Sequence, residues 1–139
     1  MAIPYVMIER KNAQDRLAPR KVYAQVSVRE VVAFVQLADE IAANSGAMNA
    51  DDVLTVLYEF AKLSRKHLQE GKMLHLNNFG SFRLVINSSG AEDETQFDTS
   101  LISKKVKLGF TPSKDLKEAL AELKYEQVES PQSRRRFAR

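Results

Sequence analysis

The chain has 139 residues, a net charge of +3 and 44% hydrophobic residues, a composition typical of one globular domain with extensions. It contains no cysteine, which excludes disulfide frameworks and thiolate metal sites. No apolar run approaches the roughly 18 residues of a membrane span, and the N-terminus lacks a signal-peptide pattern. We therefore expect a cytoplasmic protein without a membrane partner.

The positive charge is concentrated at the C-terminus. Residues 134–136 and 139 are all arginine, and without these four charges the net charge of +3 becomes −1. A short basic run can bind nucleic acid non-specifically by releasing counterions from phosphates. The alternative is a solubilising terminus, and in either case we expect residues 125–139 to form a short strand and a disordered basic tail.

The N-terminal residues predict a β-hairpin. Residues 3–8 and 22–26 are apolar and β-prone, and a polar segment with Pro19 separates them. Pro4 lies near the start of the first strand, which predicts an edge position, because proline cannot donate to a sheet ladder. We therefore assign residues 1–27 to an N-terminal hairpin extension.

Two helical patterns follow the hairpin. Ser27 and Glu30 have capping-box spacing, an apolar stripe then runs from Val31 to Ala42, and Gly46 is a helix stop. Asn49 is a good N-cap for a second helix, whose apolar stripe from Val53 to Leu68 ends before Gly71. A short connection between two such helices predicts an αα-hairpin.

From residue 73 the apolar period changes to two, which predicts strands. Leu74 and Leu76 form one strand, residues 77–80 read as a turn with asparagine and glycine, and Phe82 and Leu84 belong to the next strand. We expect a β-arm after this strand, with Phe97 beginning the return.

The last part of the pattern predicts a third strand and a helix. Val106, Leu108 and Phe110 alternate with polar residues. Thr111 or Ser113 can cap a final helix that places Pro112 in its first turn and extends to Leu123. The predicted fold is therefore α+β: a hairpin, two helices, a three-stranded antiparallel sheet with an arm, and a C-terminal helix. So many apolar faces on so small a unit predict a dimer.

Three segments together carry a family resemblance. They are Glu70-Gly71-Lys72 at the end of the αα-hairpin, the strand-turn-strand over residues 76–82, and Phe110-Thr111-Pro112-Ser113-Lys114-Asp115-Leu116. In this order and spacing they resemble the bacterial histone-like HU and integration host factor family of DNA-bending proteins. The resemblance implies an HU-like DNA-binding domain over residues 28–124 and an intertwined homodimer. It also implies a dimer core that includes Phe60, Phe79, Phe82 and Phe110.

The arm departs from that family. Family arms are rich in arginine and lysine and insert a proline into the minor groove, whereas residues 87–102 contain four acidic residues, no basic residue and no proline. An acidic ribbon is repelled by phosphates, so we do not expect minor-groove intercalation. Phe97, Leu101 and Ile102 could act as wedges, but apolar strand residues more often pack.

The remaining basic residues are candidates for phosphate contact. Alternation along the third strand places Lys105 and Lys107 on the outer face of the sheet, and Arg83 on the neighbouring strand projects similarly. Lys114 opens the last helix and Lys72 follows the second. The complete candidate set is Lys72, Arg83, Lys104, Lys105, Lys107, Lys114, Arg134, Arg135 and Arg136. The alternative for each is a solvated surface residue, with strand lysines that discourage edge aggregation.

Catalytic and metal chemistry find no support. His67 and His75 lack metal-ligand spacing, the acidic run at residues 92–94 lacks a calcium-loop pattern, and no nucleophile–base arrangement is evident. We expect no enzyme activity and no cofactor. The leading hypothesis is a histone-like, nucleoid-associated protein that binds double-stranded DNA with little sequence preference and can bend it. The alternative is an HU-fold interaction module whose acidic arm contacts a protein partner.

Overall fold

A computed structural model describes residues 1–11 and 13–129. It divides them into two compact units, one formed by residues 1–32 with the described residues from 121 onward, and one formed by residues 33–120. The strands are β1 (Ile3–Arg10), β2 (Lys21–Val26), β3 (Leu74–Leu76), β4 (Gly80–Val85), β5 (Lys107–Pro112) and β6 (Tyr125–Gln127), and the α-helices are α1 (Phe34–Ser45), α2 (Ala50–Gln69) and α3 (Lys114–Ala119).

The first unit is a three-stranded sheet in the order β2-β1-β6. β1 pairs antiparallel with β2, from Tyr5 opposite Val26 to Arg10 opposite Lys21, and parallel with β6. The predicted hairpin and short last strand are therefore present, and β6 joins the C-terminal end of the described chain to the N-terminal strand.

The expectation that Pro4 marks an edge strand is wrong, because β1 is the central strand and Pro4 is buried. Proline is tolerated because Pro4 lies at the end of the β1–β2 ladder. There it contributes only its carbonyl, which accepts a hydrogen bond from the Ser27 amide at 2.8 Å. The amide that proline lacks is not needed at that position.

The first helix begins later than the capping-box spacing predicts. α1 starts at Phe34 with Ala33 as its N-cap and no side-chain cap. Ser27 instead extends the sheet through its bond to Pro4, and the Arg29 guanidinium donates to the Ala2 carbonyl at 2.9 Å. These long-range bonds hold Ser27 and Arg29 in the first unit, so the helix starts beyond them.

The other helix boundaries follow their sequence signals. Gly46 ends α1 with a φ of 66°, in the left-handed region, and its amide donates to Ala42. The Asn49 side chain accepts from the Asp51 amide at 2.8 Å and begins α2. Phe34 and Tyr58 meet edge to face, with ring centroids 5.5 Å apart, and so join α1 to α2.

The second sheet has the order β3-β4-β5 and is antiparallel. Its register places Phe82 opposite Phe110 and Arg83 opposite Gly109. Because strand residues alternate between faces, the sheet has an apolar face and a polar face. The apolar face carries Leu74, Leu76, Phe82, Leu84, Leu108 and Phe110, and the polar face carries His75, Ser81, Arg83, Val85, Lys107, Gly109 and Thr111.

Three expectations about the rest of this unit are wrong. Phe97 does not begin a return strand but lies between two short 3-10 turns, Glu94–Gln96 and Thr99–Leu101. Pro112 ends β5 instead of opening the helix, since Ser113 is the N-cap of α3. α3 ends at Ala119 and does not extend to Leu123.

Very little of the chain is buried. Among the described residues, only Ala38 and Val53 form a buried hydrophobic core, with exposed fractions of 1% and 6%. Large apolar side chains on the helices and on the second sheet remain exposed, and they include Val56, Phe60, Leu63, Phe79, Leu108 and Phe110. Soluble monomers rarely expose apolar surface in contiguous patches of this kind.

The turn between β3 and β4 generates a stability prediction. A Cβ at Gly80 would lie 2.5 Å from Cε2 of Phe110 and 2.6 Å from the carbonyl oxygen of Thr111. We expect Gly80→Ala to destabilise the protein by about 1–3 kcal/mol through overpacking, measured by urea unfolding. The matched control is Gly90→Ala, because a Cβ there meets nothing within 4 Å. Equal stabilities of the two variants would contradict the close packing.

Candidate nucleic-acid interface

Two cations lie together on the polar face of the second sheet. Arg83 is on β4 opposite Gly109, and Lys107 is on β5 opposite Val85, so both project from the same side. Both are exposed. On the same face the His75 Nδ1 lies 2.9 Å from the Ser81 hydroxyl oxygen. The sequence-based placement of Arg83 and Lys107 on one outward face thus agrees with the strand register.

Gly109 provides the space over which Arg83 lies. A Cβ at Gly109 would be 3.5 Å from Cγ and 3.6 Å from Nε of Arg83, and 3.1 Å from Cγ2 of Val85. The absence of a side chain at residue 109 therefore lets the Arg83 stem lie across β5. The sequence signal for this arrangement was a glycine inside a strand pattern, which often marks a close approach.

The other two lysines of this group precede the strand. Lys104 and Lys105 lie before β5, which begins at Lys107, and the Lys105 amide is 3.3 Å from the Ser103 hydroxyl. They are therefore at the base of the arm, defined here as residues 86–106, and not on the sheet. Both are exposed.

Within the described part of the chain, no ion pair involves Arg83, Lys104, Lys105 or Lys107. Lys72, in contrast, is paired with Glu70, with Nζ 2.8 Å from Oε2. The hydrogen bond and charge of Lys72 hold the pKa of Glu70 below its ordinary value. Lys72 must leave this carboxylate to meet a phosphate.

Lys114 follows the N-cap of a six-residue helix. Ser113 holds this point against the β3–β4 turn, since its amide donates to the Phe79 carbonyl at 3.0 Å and its hydroxyl to the Asn78 carbonyl at 2.8 Å. Lys114 is largely exposed and only 3.9 Å from Glu118, a weak pair. Such a short helix adds little dipole, so any contribution of Lys114 comes from its own charge.

The arm is short and internally ordered. Beyond β4 and β5 the two sides stay paired, because the Ser89 amide donates to Leu101 at 2.8 Å and the Ser103 amide to Asn87 at 2.7 Å. At the tip, Asp93 accepts from the Gln96 amide and Asp98 from the Ser100 amide, so each aspartate caps one 3-10 turn.

The acidic residues of the tip thus have two different roles. The Thr95 hydroxyl and the Gln96 amide both donate to Asp93, and these bonds hold the pKa of Asp93 below its ordinary value. Glu92 and Glu94 have no such bond and extend the negative charge at the exposed tip. Sequence reasoning treated this segment only as an acidic ribbon and missed the two caps, although Asp at the start of a turn is their ordinary signal.

Other sequence candidates lie elsewhere. Arg134, Arg135 and Arg136 lie outside the described residues. Among those that are described, no group of three histidine or acidic side chains is arranged to hold a metal ion. The described helices also include none that is long and apolar enough to cross a membrane.

The comparisons with known proteins agree with this architecture. A family model described as an HU domain fused to a wHTH, Ig or glycine-rich motif matches residues 1–127. A search of curated proteins finds no match. One similar solved structure is that of a protein from Bacteroides vulgatus ATCC 8482, provisionally described as a bacterial DNA-binding protein, with a TM-score of 0.61 and 12% identity.

That likeness concerns the fold alone, because the identity is low. The match covers 94% of this chain and 50% of the Bacteroides chain, so the chain spans about half the length of that relative. The family match also extends across the N-terminal sheet, which sequence reasoning had treated as an extension to the HU-like part.

The arm tip generates a prediction about local order. Asp93→Ala and Asp98→Ala remove the acceptors of the Gln96 and Ser100 amides. We expect hydrogen exchange at these amides, followed by NMR, to become about fivefold faster, which corresponds to about 1 kcal/mol for a lost hydrogen bond. Asp93→Asn and Asp98→Asn keep an acceptor oxygen and should exchange more slowly than the alanine variants. Identical exchange in both sets would show that the caps do not order the tip.

Proposed function

Since the chain belongs to the family of HU domains fused to a wHTH, Ig or glycine-rich motif, we propose that it is a dimeric, non-enzymatic protein that binds double-stranded DNA through the polar face of its second sheet. The proposed setting is the bacterial cytoplasm, on the nucleoid. The observation that carries the proposal is the pair of exposed, uncompensated cations Arg83 and Lys107, with Lys104 and Lys105 beside them at the arm base.

The arrangement suits phosphates better than bases. Cations that have no carboxylate partner can replace condensed counterions without first breaking a salt bridge. Phosphate contacts position a protein but do not read sequence, so the expected binding has little sequence preference. The arm tip carries negative charge, so the duplex lies on the sheet and arm base and avoids the tip. Binding is therefore weaker, and bending smaller, than with basic arms that enter the minor groove.

The dimer part of the proposal is supported by the exposed apolar surface of the second unit. A cleft of about 550 Å³ runs along the αα-hairpin and is lined by Ile41, Met48, Val53, Val56 and Leu57 among others. Phe79 and Phe82 both contact Phe110, with centroids 5.6 and 4.7 Å away, yet Phe79, Phe110 and Phe60 stay exposed in the single chain. A second copy that covers these surfaces would supply the missing core.

The dimer generates a prediction. Val56 is 64% exposed in the single chain and lines the helical cleft, so Val56→Asp should place a charge in the interface. Since an uncompensated buried carboxylate costs several kcal/mol, we expect dimerisation to weaken roughly tenfold or more, measured by sedimentation equilibrium. Ala13→Asp makes the same charge change in the exposed β1–β2 loop and should leave the dimer intact. A wild-type chain that sediments as a monomer would overturn this part of the proposal.

The DNA surface generates a second prediction. Arg83→Ala and Lys107→Ala should each weaken binding of duplex DNA in fluorescence anisotropy and lower the slope of log affinity against log salt by about 0.9, the value of one lost phosphate contact. Lys62→Ala removes an exposed cation from α2 and serves as the control. If all three variants bind alike, the polar face is not the binding surface.

The basic tail requires a separate measurement. A form of the protein that ends at Glu129 lacks Arg134, Arg135 and Arg136 but keeps both sheets. Salt-sensitive binding by this form supports the polar face as the principal site. Loss of all binding would instead assign the affinity to the tail and leave the fold as its carrier.

The order of the arm tip favours one alternative function, in which the tip binds a protein with a basic surface. A tip held by two capped turns costs little entropy to fix on binding. Glu92→Gln with Glu94→Gln reduces the charge and leaves both capping aspartates in place. Under the DNA proposal this double variant binds duplex more tightly, whereas unchanged DNA binding with loss of a protein partner would favour the alternative.

A further inference from the structure

The edge strand β2 is accessible along its whole length. It is the outer strand of the sheet β2-β1-β6, and all six of its residues are exposed. Natural edge strands are usually protected by proline, by inward charges, by bulges or by being very short. β2 has no proline, and its one charged residue, Lys21, is at its start. The opposite edge, β6, is only three residues long.

The outward-directed backbone groups of β2 can be identified from the register. The Ser27 amide donates to the Pro4 carbonyl, so these two residues form a hydrogen-bonded pair at the end of the β1–β2 ladder. Because hydrogen-bonded and non-hydrogen-bonded pairs alternate in antiparallel sheets, Lys21, Tyr23 and Gln25 direct their backbone groups toward β1. The amides and carbonyls of the other three residues, Val22, Ala24 and Val26, therefore point away from the sheet.

These three residues are complementary to themselves. If two copies of β2 run antiparallel about a two-fold axis at Ala24, Val22 lies opposite Val26 of the second copy and Ala24 lies opposite its own equivalent. All of these are outward-directed positions, so each facing pair exchanges two backbone hydrogen bonds. Lys21 then lies opposite Ser27 of the second copy, and no like charges face each other.

The side chains support the same pairing. Val22, Ala24 and Val26 share one sheet face with Tyr5 and Met7, their register partners or neighbours on β1. This face contains an apolar cleft of about 480 Å³ lined by Tyr5, Met7, Ala24, Gln25, Val26 and Tyr125. Facing Val22–Val26 pairs would continue this apolar face from one copy to the next, and β-branched cross-strand pairs are favourable.

We propose that β2 is a self-association edge, through which two copies of the protein join their N-terminal sheets into one six-stranded sheet with a two-fold axis at Ala24. This contact uses the first unit, whereas the proposed HU-type dimer uses the second. A few backbone hydrogen bonds contribute modestly on their own. Two separate contacts between copies reinforce one another through effective concentration.

Disulfide trapping tests the geometry in the full-length protein. The natural sequence has no cysteine, so Ala24→Cys introduces one thiol. Opposite residues of a hydrogen-bonded antiparallel pair have Cα atoms about 5.5 Å apart, within the range that a disulfide spans. In the control Gln25→Cys, the two thiols belong to diagonal positions, with Cα atoms about 7–8 Å apart, beyond that range.

We expect Ala24→Cys to form covalent dimers on mild oxidation roughly tenfold faster than Gln25→Cys, because only the first pair meets disulfide geometry. Equal rates would overturn the proposal. A charge pair gives an independent test if the cysteine variants fold poorly. Ala24→Lys and Ala24→Glu should each weaken association in sedimentation velocity, and an equimolar mixture should restore it, since residue 24 faces itself. Failure of the mixture to restore association would also overturn the proposal, and DNA binding by these variants separates this result from the proposed function.

Discussion

The scarcity of buried side chains in the single chain is the constraint on which the rest of the structure depends. Ala38 and Val53 are the buried core of the described residues, although the helices and the second sheet present many large apolar groups. Regular structure survives locally because caps, turns and strand pairs are satisfied within the chain, as at Asn49 and Ser113. The hydrophobic contribution to stability must come from covering the remaining apolar faces. A second copy that covers the apolar face of the sheet leaves its polar face for a different ligand, and so the proposed dimer and the proposed DNA surface depend on the same alternation of residues in β4 and β5.

The distribution of charge separates this chain from proteins with basic arms. Arg83 and Lys107 lie on the sheet, Lys104 and Lys105 lie at the arm base, and the acidic residues lie at the tip. The charge therefore changes sign along the arm. Asp93 and Asp98 are also needed to close the two 3-10 turns, so part of the negative charge has a structural role. This arrangement favours shallow phosphate contact near the sheet and disfavours insertion of the tip into a groove.

Local signals in the sequence predicted much of the second unit, and long-range contacts explain most of what they did not predict. Asn49, Gly46 and the residue 77–80 turn act through neighbouring backbone groups, and each has the predicted role. The capping-box spacing at Ser27 failed because Ser27 bonds to Pro4, 23 positions earlier in the sequence (27 minus 4). Pro4 was misplaced for a related reason, since the parallel partner β6 comes from the far end of the described chain. The alternation that placed Arg83 and Lys107 on one face was readable, whereas the closeness of Arg83 to Gly109 required the register.

The most direct test of the account is an NMR titration of the full-length protein with a short DNA duplex at low salt. The account predicts chemical-shift changes at the amides of Arg83, Lys107 and Lys105, with the tip residues from Glu92 to Ser100 unaffected. Added salt should reverse these changes, because counterion release provides the affinity. Shifts concentrated at the arm tip, with none on the polar face of the sheet, would contradict the account.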